Sequence, residues 1–179
     1  MAKRLIAFSF LLAACSPRAE GVSWQDMLAM SRACTTRPSD RSPSWIKVAL
    51  DSSGGRLFLP ATFRRVSGRS GFWRGDDSSE FSYAVTEQPS SAGAGSSPLI
   101  ARLRRPSSHN DGPCRVTIEG RDAILTTFTL VDSAGADTLY GLGATVALKR
   151  QHYAEFLGLT RHASMRDSLL HGIGSFGRD

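Results

Sequence analysis

From Cys114 to Thr160 the chain alternates apolar and polar side chains in one short run after another. Cys114, Val116 and Ile118 alternate with Arg115, Thr117 and Glu119. Ile124, Phe128 and Leu130 share one face of Ala123–Val131, and Tyr140, Leu142, Ala144, Val146 and Leu148 keep the same rhythm over a longer stretch. A period of two sends one set of side chains into a core and the other outward, as in antiparallel sheets with one solvated face. Turn residues at Gly120-Arg121, Ser133 to Asp137 and Lys149 to Gln151 separate the runs, so the arrangement expected is a meander. Tyr153 to Thr160 reads as its last strand, with a helix as the alternative. Gly141 and Gly143 fall on the odd-numbered face of the long run, where a missing side chain implies close backbone approach or a bend.

The first half carries shorter versions of the same pattern. Ile46 to Leu50 and Arg56 to Leu59 flank the turn Asp51 to Gly55, and Pro60 ends the second run. Gly71 to Gly75 and Phe81 to Val85 flank Asp76 to Ser79, and Leu99 to Leu103 alternates weakly. Thr35 to Ser44 reads as a loop, Gln88 to Pro98 as a Ser/Gly/Ala-rich insertion loop and Ser107 to Pro113 as a polar turn.

Two helices bracket the strands. Ser23 is placed to cap a helix to Ala33, with Asp26 in capping-box position and Trp24, Met27, Leu28 and Ser31 at helical spacing. At the other end Ser164 is the expected cap, Asp167 its partner, and Met165, Leu169, Ile173 and Phe176 form one stripe. An amphipathic helix that follows a one-faced sheet must pack on it. Leu169 is therefore expected to be fully buried against Leu142 and Val146, with Arg166 and His171 facing solvent. The fold class expected is α+β: an antiparallel β-meander sheet with an N-terminal helix and a C-terminal amphipathic helix packed on it.

Lys3 and Arg4 precede an apolar run, Leu5 to Ala14, broken only by Ser9. About ten residues are too few to span a bilayer core, which takes about 20 in a helix, and the layout is that of a secretory signal. Its end, Leu12-Ala13-Ala14-Cys15, resembles the lipobox of bacterial lipoproteins. That resemblance implies a diacylglycerol on Cys15 and a protein tethered to the cell envelope. Ser16, where an Asp would mark inner-membrane retention, points to the periplasmic face of the outer membrane. The organisation expected is a signal peptide at 1–14, a lipidated tether at 15–22 and a single domain at 23–179.

Of the 22 Lys and Arg, two leave with the signal, against 16 Asp and Glu. The modest positive balance is almost all Arg, and an exported chain rarely meets nucleic acid, so no nucleic-acid partner is expected. Arg64-Arg65 and Arg104-Arg105 read as solvated strand edges rather than polyanion contacts. With Cys15 taken by lipid, Cys34 and Cys114 remain, and an oxidising compartment lets them pair. The loop closed would be worth up to about 4.5 kcal/mol in the chain-entropy model. No C-x-x-C spacing marks a redox pair, and two distant thiols are too few for a structural metal.

The strand that leads into Leu59-Pro60, then Phe63-Arg64, the meander, and the helix closing on Gly174-Ser175-Phe176 together resemble the PsbP-like α/β/α sandwich domains over Ile46 to Phe176. The resemblance is one of topology and implies partner binding rather than catalysis; no functional residue of that group maps onto this chain.

Other motifs dissolve on inspection. Gly172 to Gly177 spells G-x-G-x-x-G but ends the chain instead of opening a helix, so a helix C-cap is the better reading. Ser44-Trp45-Ile46-Lys47 spells S-x-x-K without its companion motifs. His109, His152, His162 and His171 show no helical zinc spacing. Asp76, Asp77 and Glu80 read as a charged hairpin turn rather than a cation site, and Phe72, Trp73, Phe81 and Tyr83 as core rather than a cleft. No catalytic residue, cofactor or metal is assigned. The function expected is a non-enzymatic envelope lipoprotein that binds an envelope protein or a small ligand. The alternative is an extracytoplasmic hydrolase whose site assembles only in three dimensions, from a set such as Asp76, Asp77, Glu80, His109 and Asp111.

Overall fold

The computed structural model describes residues 23–35, 45–50, 55–87, 99, 103, 107–133, 137–149 and 152–177. The signal, the tether, most of the Thr35–Ser44 loop and the Gln88–Pro98 loop lie outside them.

Long hairpins build the centre. β7 (Ser107–Ile118), β8 (Arg121–Val131), β9 (Thr138–Ala147) and β10 (Tyr153–Thr160) form an antiparallel meander. β10 is a strand throughout. Its free edge does not remain open: it pairs antiparallel with β6 (Glu80–Thr86), which continues to β5 (Phe72–Arg74) and β4 (Arg64–Arg65). The sheet thus joins two meanders edge to edge. At the far edge β1 (Arg32–Ala33) pairs parallel with β7, giving the order β1-β7-β8-β9-β10-β6-β5-β4.

The turn before β8 is formed by Glu119 and Gly120, not Gly120 and Arg121. Both have positive φ (47° and 73°), the twist that a two-residue hairpin needs, and Arg121 sits in the ladder opposite Ile118. Ser107–Pro113 likewise belongs to β7. Its turn chemistry is spent on a bulge: the register shifts between Asn110 and Pro113, Gly112 takes φ +79°, and Asn110 Oδ1 accepts the Gly112 N–H at 2.7 Å.

One face of the sheet carries the main core. α2 (Ala163–Gly174) lays Leu169, Leu170, Ile173 and, just past its end, Phe176 over Trp73, Phe81, Leu125, Leu142, Val146 and Phe156. Leu169 is fully buried, as its stripe requires, and Gly158 provides its notch: a Cβ there would stand 2.8 Å from Leu169 Cδ1. The helix begins two residues earlier than Ser164 implies. His162 is the N-cap and makes no side-chain cap bond; Thr160 Oγ1 accepts its N–H at 3.1 Å, and Ser164 lies inside the helix. The C-terminal end is stitched to a separate hairpin, β2 (Trp45–Ala49) and β3 (Arg56–Pro60). The Phe58 N–H donates to Ser175 Oγ at 2.9 Å and the Gly177 N–H to the Arg56 carbonyl at 2.8 Å. A Cβ on Gly172 would stand 2.5 Å from the Phe58 carbonyl oxygen. The glycines of the G-x-G-x-x-G string therefore serve helix termination and packing.

Arg166 and His171 are half-buried rather than bare surface. The guanidinium of Arg166 lies 5.8 Å from the Tyr140 ring, and His171 stacks on Trp45 at 6.1 Å.

The opposite face has a second, smaller core of Leu99, Leu103, Phe128, Leu130, Leu139 and Leu159. Leu99 and Leu103 are buried here outside any strand. Phe128 lies flat over Gly141, where a Cβ would meet its ring at 2.1 Å, whereas Gly143 has only the Thr126 carbonyl at 3.9 Å. Close approach is thus the role of the first glycine alone. α1 (Trp24–Met30) sits on this face with Trp24 5.1 Å from Tyr153. Its capping box is complete: Ser23 Oγ accepts the Asp26 N–H at 3.2 Å, and the Asp26 carboxylate accepts the Ser23 N–H at 3.3 Å. The helix stops at Met30, three residues short of Ala33, because Arg32 and Ala33 join the sheet.

Candidate functional site: a cleft beside the disulfide

β1 reaches β7 through only two register pairs, Arg32 with Cys114 and Ala33 with Arg115, extended by a Cys34 N–H bond to the Arg115 carbonyl at 2.9 Å. That register brings Cys34 next to Cys114, and the two are joined, with an S–S distance of 2.08 Å and Cα atoms 4.8 Å apart. Because Cys114 pairs with Leu125, it shares a face with the main core, and both half-exposed cysteines pack against that core's edge.

A cleft of about 200 Å³ opens there. Leu125 and Leu170 form its buried floor and the disulfide one wall. Arg32, Thr35, Asp111, Gly112 and Thr127 line the rest. The β7 bulge sets the position of Asp111. Arg32 Nη2 donates to the Asp111 carbonyl at 2.7 Å, and the Thr127 hydroxyl donates to its carboxylate. His109 Nε2 stands 3.6 Å from the other carboxylate oxygen, with its side chain 83 % exposed. The Thr127 hydroxyl proton is thereby directed to Asp111, an arrangement that fixes the rim of the cleft.

Among the five residues of the hydrolase alternative, Asp111 lines this cleft and His109 adjoins it. The other three have separate tasks. The Asp77 carboxylate accepts the Ser79 N–H and hydroxyl at 2.9 and 2.7 Å, and Ser79 Oγ in turn lies 2.8 Å from the buried Thr160 hydroxyl. Glu80 is buried and faces Arg74 Nη2 at 3.5 Å, and Asp76 is exposed. Among the described residues no three His, Cys, Asp or Glu side chains are grouped to hold a metal ion. Trp73, Phe81 and Tyr83 belong to the core, in a chain of ring contacts with Phe156 and Phe176 spaced 5.2–6.0 Å apart. Phe72 points to the other face beneath the Arg69 guanidinium, 4.6 Å from its ring centre. Arg64 turns back onto the carbonyls of Ala61 and Phe63, the behaviour of an edge residue. His152 and His162 flank opposite ends of β10.

Sequence reasoning placed Asp111 and the two cysteines but not Arg32, Thr127 or Leu170. Those three come from β1, β8 and α2, and their only common signal in the sequence is a face assignment on β8 and α2.

No family model matches the sequence, and no curated protein matches it either. Solved structures do. The solution structure of cyanobacterial PsbP (CyanoP) from Synechocystis sp. PCC 6803 aligns over 77 % of this chain and 96 % of its own, with a TM-score of 0.50 at 13 % identity. The chain has the PsbP fold. A protein of unknown function, PA94 from Pseudomonas aeruginosa, aligns over 68 % of this chain and 85 % of its own at 14 % identity, with a TM-score of 0.33. Within the PsbP fold of this chain, the cleft lies at the β1 edge of the sheet, on the face that carries α2.

Proposed function

We propose that this protein is a lipid-anchored binding domain of the bacterial cell envelope, held by Cys15 on the periplasmic face of the outer membrane, that recognises an envelope protein or a small ligand without catalysing a reaction. The observation that supports it best is the disulfide-walled cleft: an apolar floor beside Asp111, whose carbonyl accepts from Arg32 and whose carboxylate accepts from Thr127, a layout suited to recognition. The disulfide suits an oxidising compartment. The anchor rests on the lipobox-like Leu12-Ala13-Ala14-Cys15.

Affinity capture of the lipidated protein from its native envelope tests the reading. A partner or ligand held by the wild type and lost from Asp111→Ala supports it. A hydrolytic activity of the purified protein that disappears in His109→Ala and Asp111→Ala would replace it with the enzyme alternative. The anchor is tested separately: Cys15→Ser should abolish incorporation of labelled fatty acid and release the protein from membranes, and undiminished labelling would refute it.

A further inference from the structure

Among the described residues, α1 and β1 are joined to the sheet by few contacts. α1 has seven residues, fewer than a helix needs to persist alone, and it buries one large apolar side chain, Leu28. Beyond its cap, the buried Leu28 and the Trp24–Tyr153 contact, the unit is attached, among the described residues, by two β1 register pairs, the Cys34 N–H bond, the Arg32 bond to Asp111 and the disulfide. That disulfide is also accessible. Its two half-buried cysteines wall the cleft, whose rim residues Thr35 and Asp111 are exposed.

We propose that Cys34–Cys114 is a reducible clasp: a small or protein-borne dithiol attacks it through the cleft in the folded state, and opening it releases α1 and β1 from the sheet. One thiolate of the dithiol attacks a cystine sulfur, forming a mixed disulfide and expelling the other cysteine as thiolate. The dithiol's second thiolate then attacks its own sulfur in the mixed disulfide, which frees the second cysteine. The dithiol leaves as a disulfide, two electrons pass to the cystine, and two protons complete the two thiols.

The test uses the full lipidated chain in phosphatidylethanolamine–phosphatidylglycerol vesicles with dithiothreitol and no denaturant. Alkylation of Cys34 and Cys114 is followed by mass, and hydrogen exchange is followed by segment. Reduction should outpace global opening, reported by the Leu142 and Val146 amides, by at least about tenfold. Afterwards Leu28 to Cys34 should lose protection while Leu142 and Val146 keep theirs. Thr127→Tyr, which narrows the cleft, should slow reduction and leave β9 protection unchanged. Alkylation no faster than global opening, retained protection in Leu28 to Cys34, or a reduction rate indifferent to Thr127→Tyr would each overturn the proposal. A Cys15→Ser form should give the same reduction and exchange behaviour, so failure of the anchor reading leaves the clasp untouched.

Discussion

α2 and α1 meet opposite faces of one sheet on very different terms. α2 presents Leu169, Leu170 and Ile173, all buried, fits Leu169 into the Gly158 notch, and ties its last turn to β3 through Ser175 and Gly177. α1 buries Leu28, rests Trp24 on Tyr153, leaves Met30 71 % exposed, and depends on a covalent bond a few residues beyond its end. Packing that interlocks through several side chains resists opening in any part, whereas an element held by two side-chain contacts, a two-residue strand pairing and a crosslink can open while the remainder stays folded. The difference is one of where the free energy resides: in close-packed apolar volume for α2, in restricted chain freedom for α1.

Removing packing from the α2 side should produce the largest effect. Leu169→Ala is expected to cost about 2–5 kcal/mol, through lost transfer free energy and a residual cavity, measured by urea denaturation. An unchanged midpoint would show that α2 does not carry the core.

On the α1 side, the double change Cys34→Ser with Cys114→Ser should lower global stability by about 2 kcal/mol, well below the chain-entropy ceiling of about 4.5 kcal/mol, because α1 and β1 can open separately. A loss that reaches the ceiling would mean that both helices belong to one cooperative unit.

Ser23→Ala removes the N-cap acceptor and should cost about 1 kcal/mol of local helix stability, read from exchange in α1 rather than from the global midpoint. The smallest changes concern the flank of α2. His171→Ala and Arg166→Ala each remove a ring contact and should cost about 0.5–1 kcal/mol by urea denaturation.

The contrast also marks how far the sequence could be read. The α2 stripe and the alternation of β8 and β9 were legible because each is a local period imposed by one buried face, whereas the turn before β8 lay one residue earlier than expected, at Glu119 and Gly120. Two turn-like strings misled for a physical reason. Asn110-Asp111-Gly112 has the composition of a reversal, yet the same Asx bond and positive φ serve a bulge inside a continuing strand. Ser164 has the right chemistry for a cap, but the buried Thr160 hydroxyl holds His162, two residues earlier, as the cap. The β6–β10 pairing joins segments about 70 residues apart, and no local signal states which strand edge will meet which. The cleft was least legible, since its walls come from β1, β7, β8 and α2 and become neighbours only once those pairings exist.

The two ends of the sheet bear on a different matter, that of crowding. Among the described residues the sheet finishes on a two-residue strand at either edge, β1 on one side and β4 on the other, with β4 made of exposed Arg64 and Arg65. β7, next inward from β1, is interrupted by its bulge. A neighbouring copy that sought to extend the ladder would find little regular backbone to pair with and, at the β4 edge, two positive charges facing its own pair. If the proposed anchor at Cys15 concentrates copies in the plane of a membrane, they will collide often, and edges of this kind keep those collisions from growing into shared sheets.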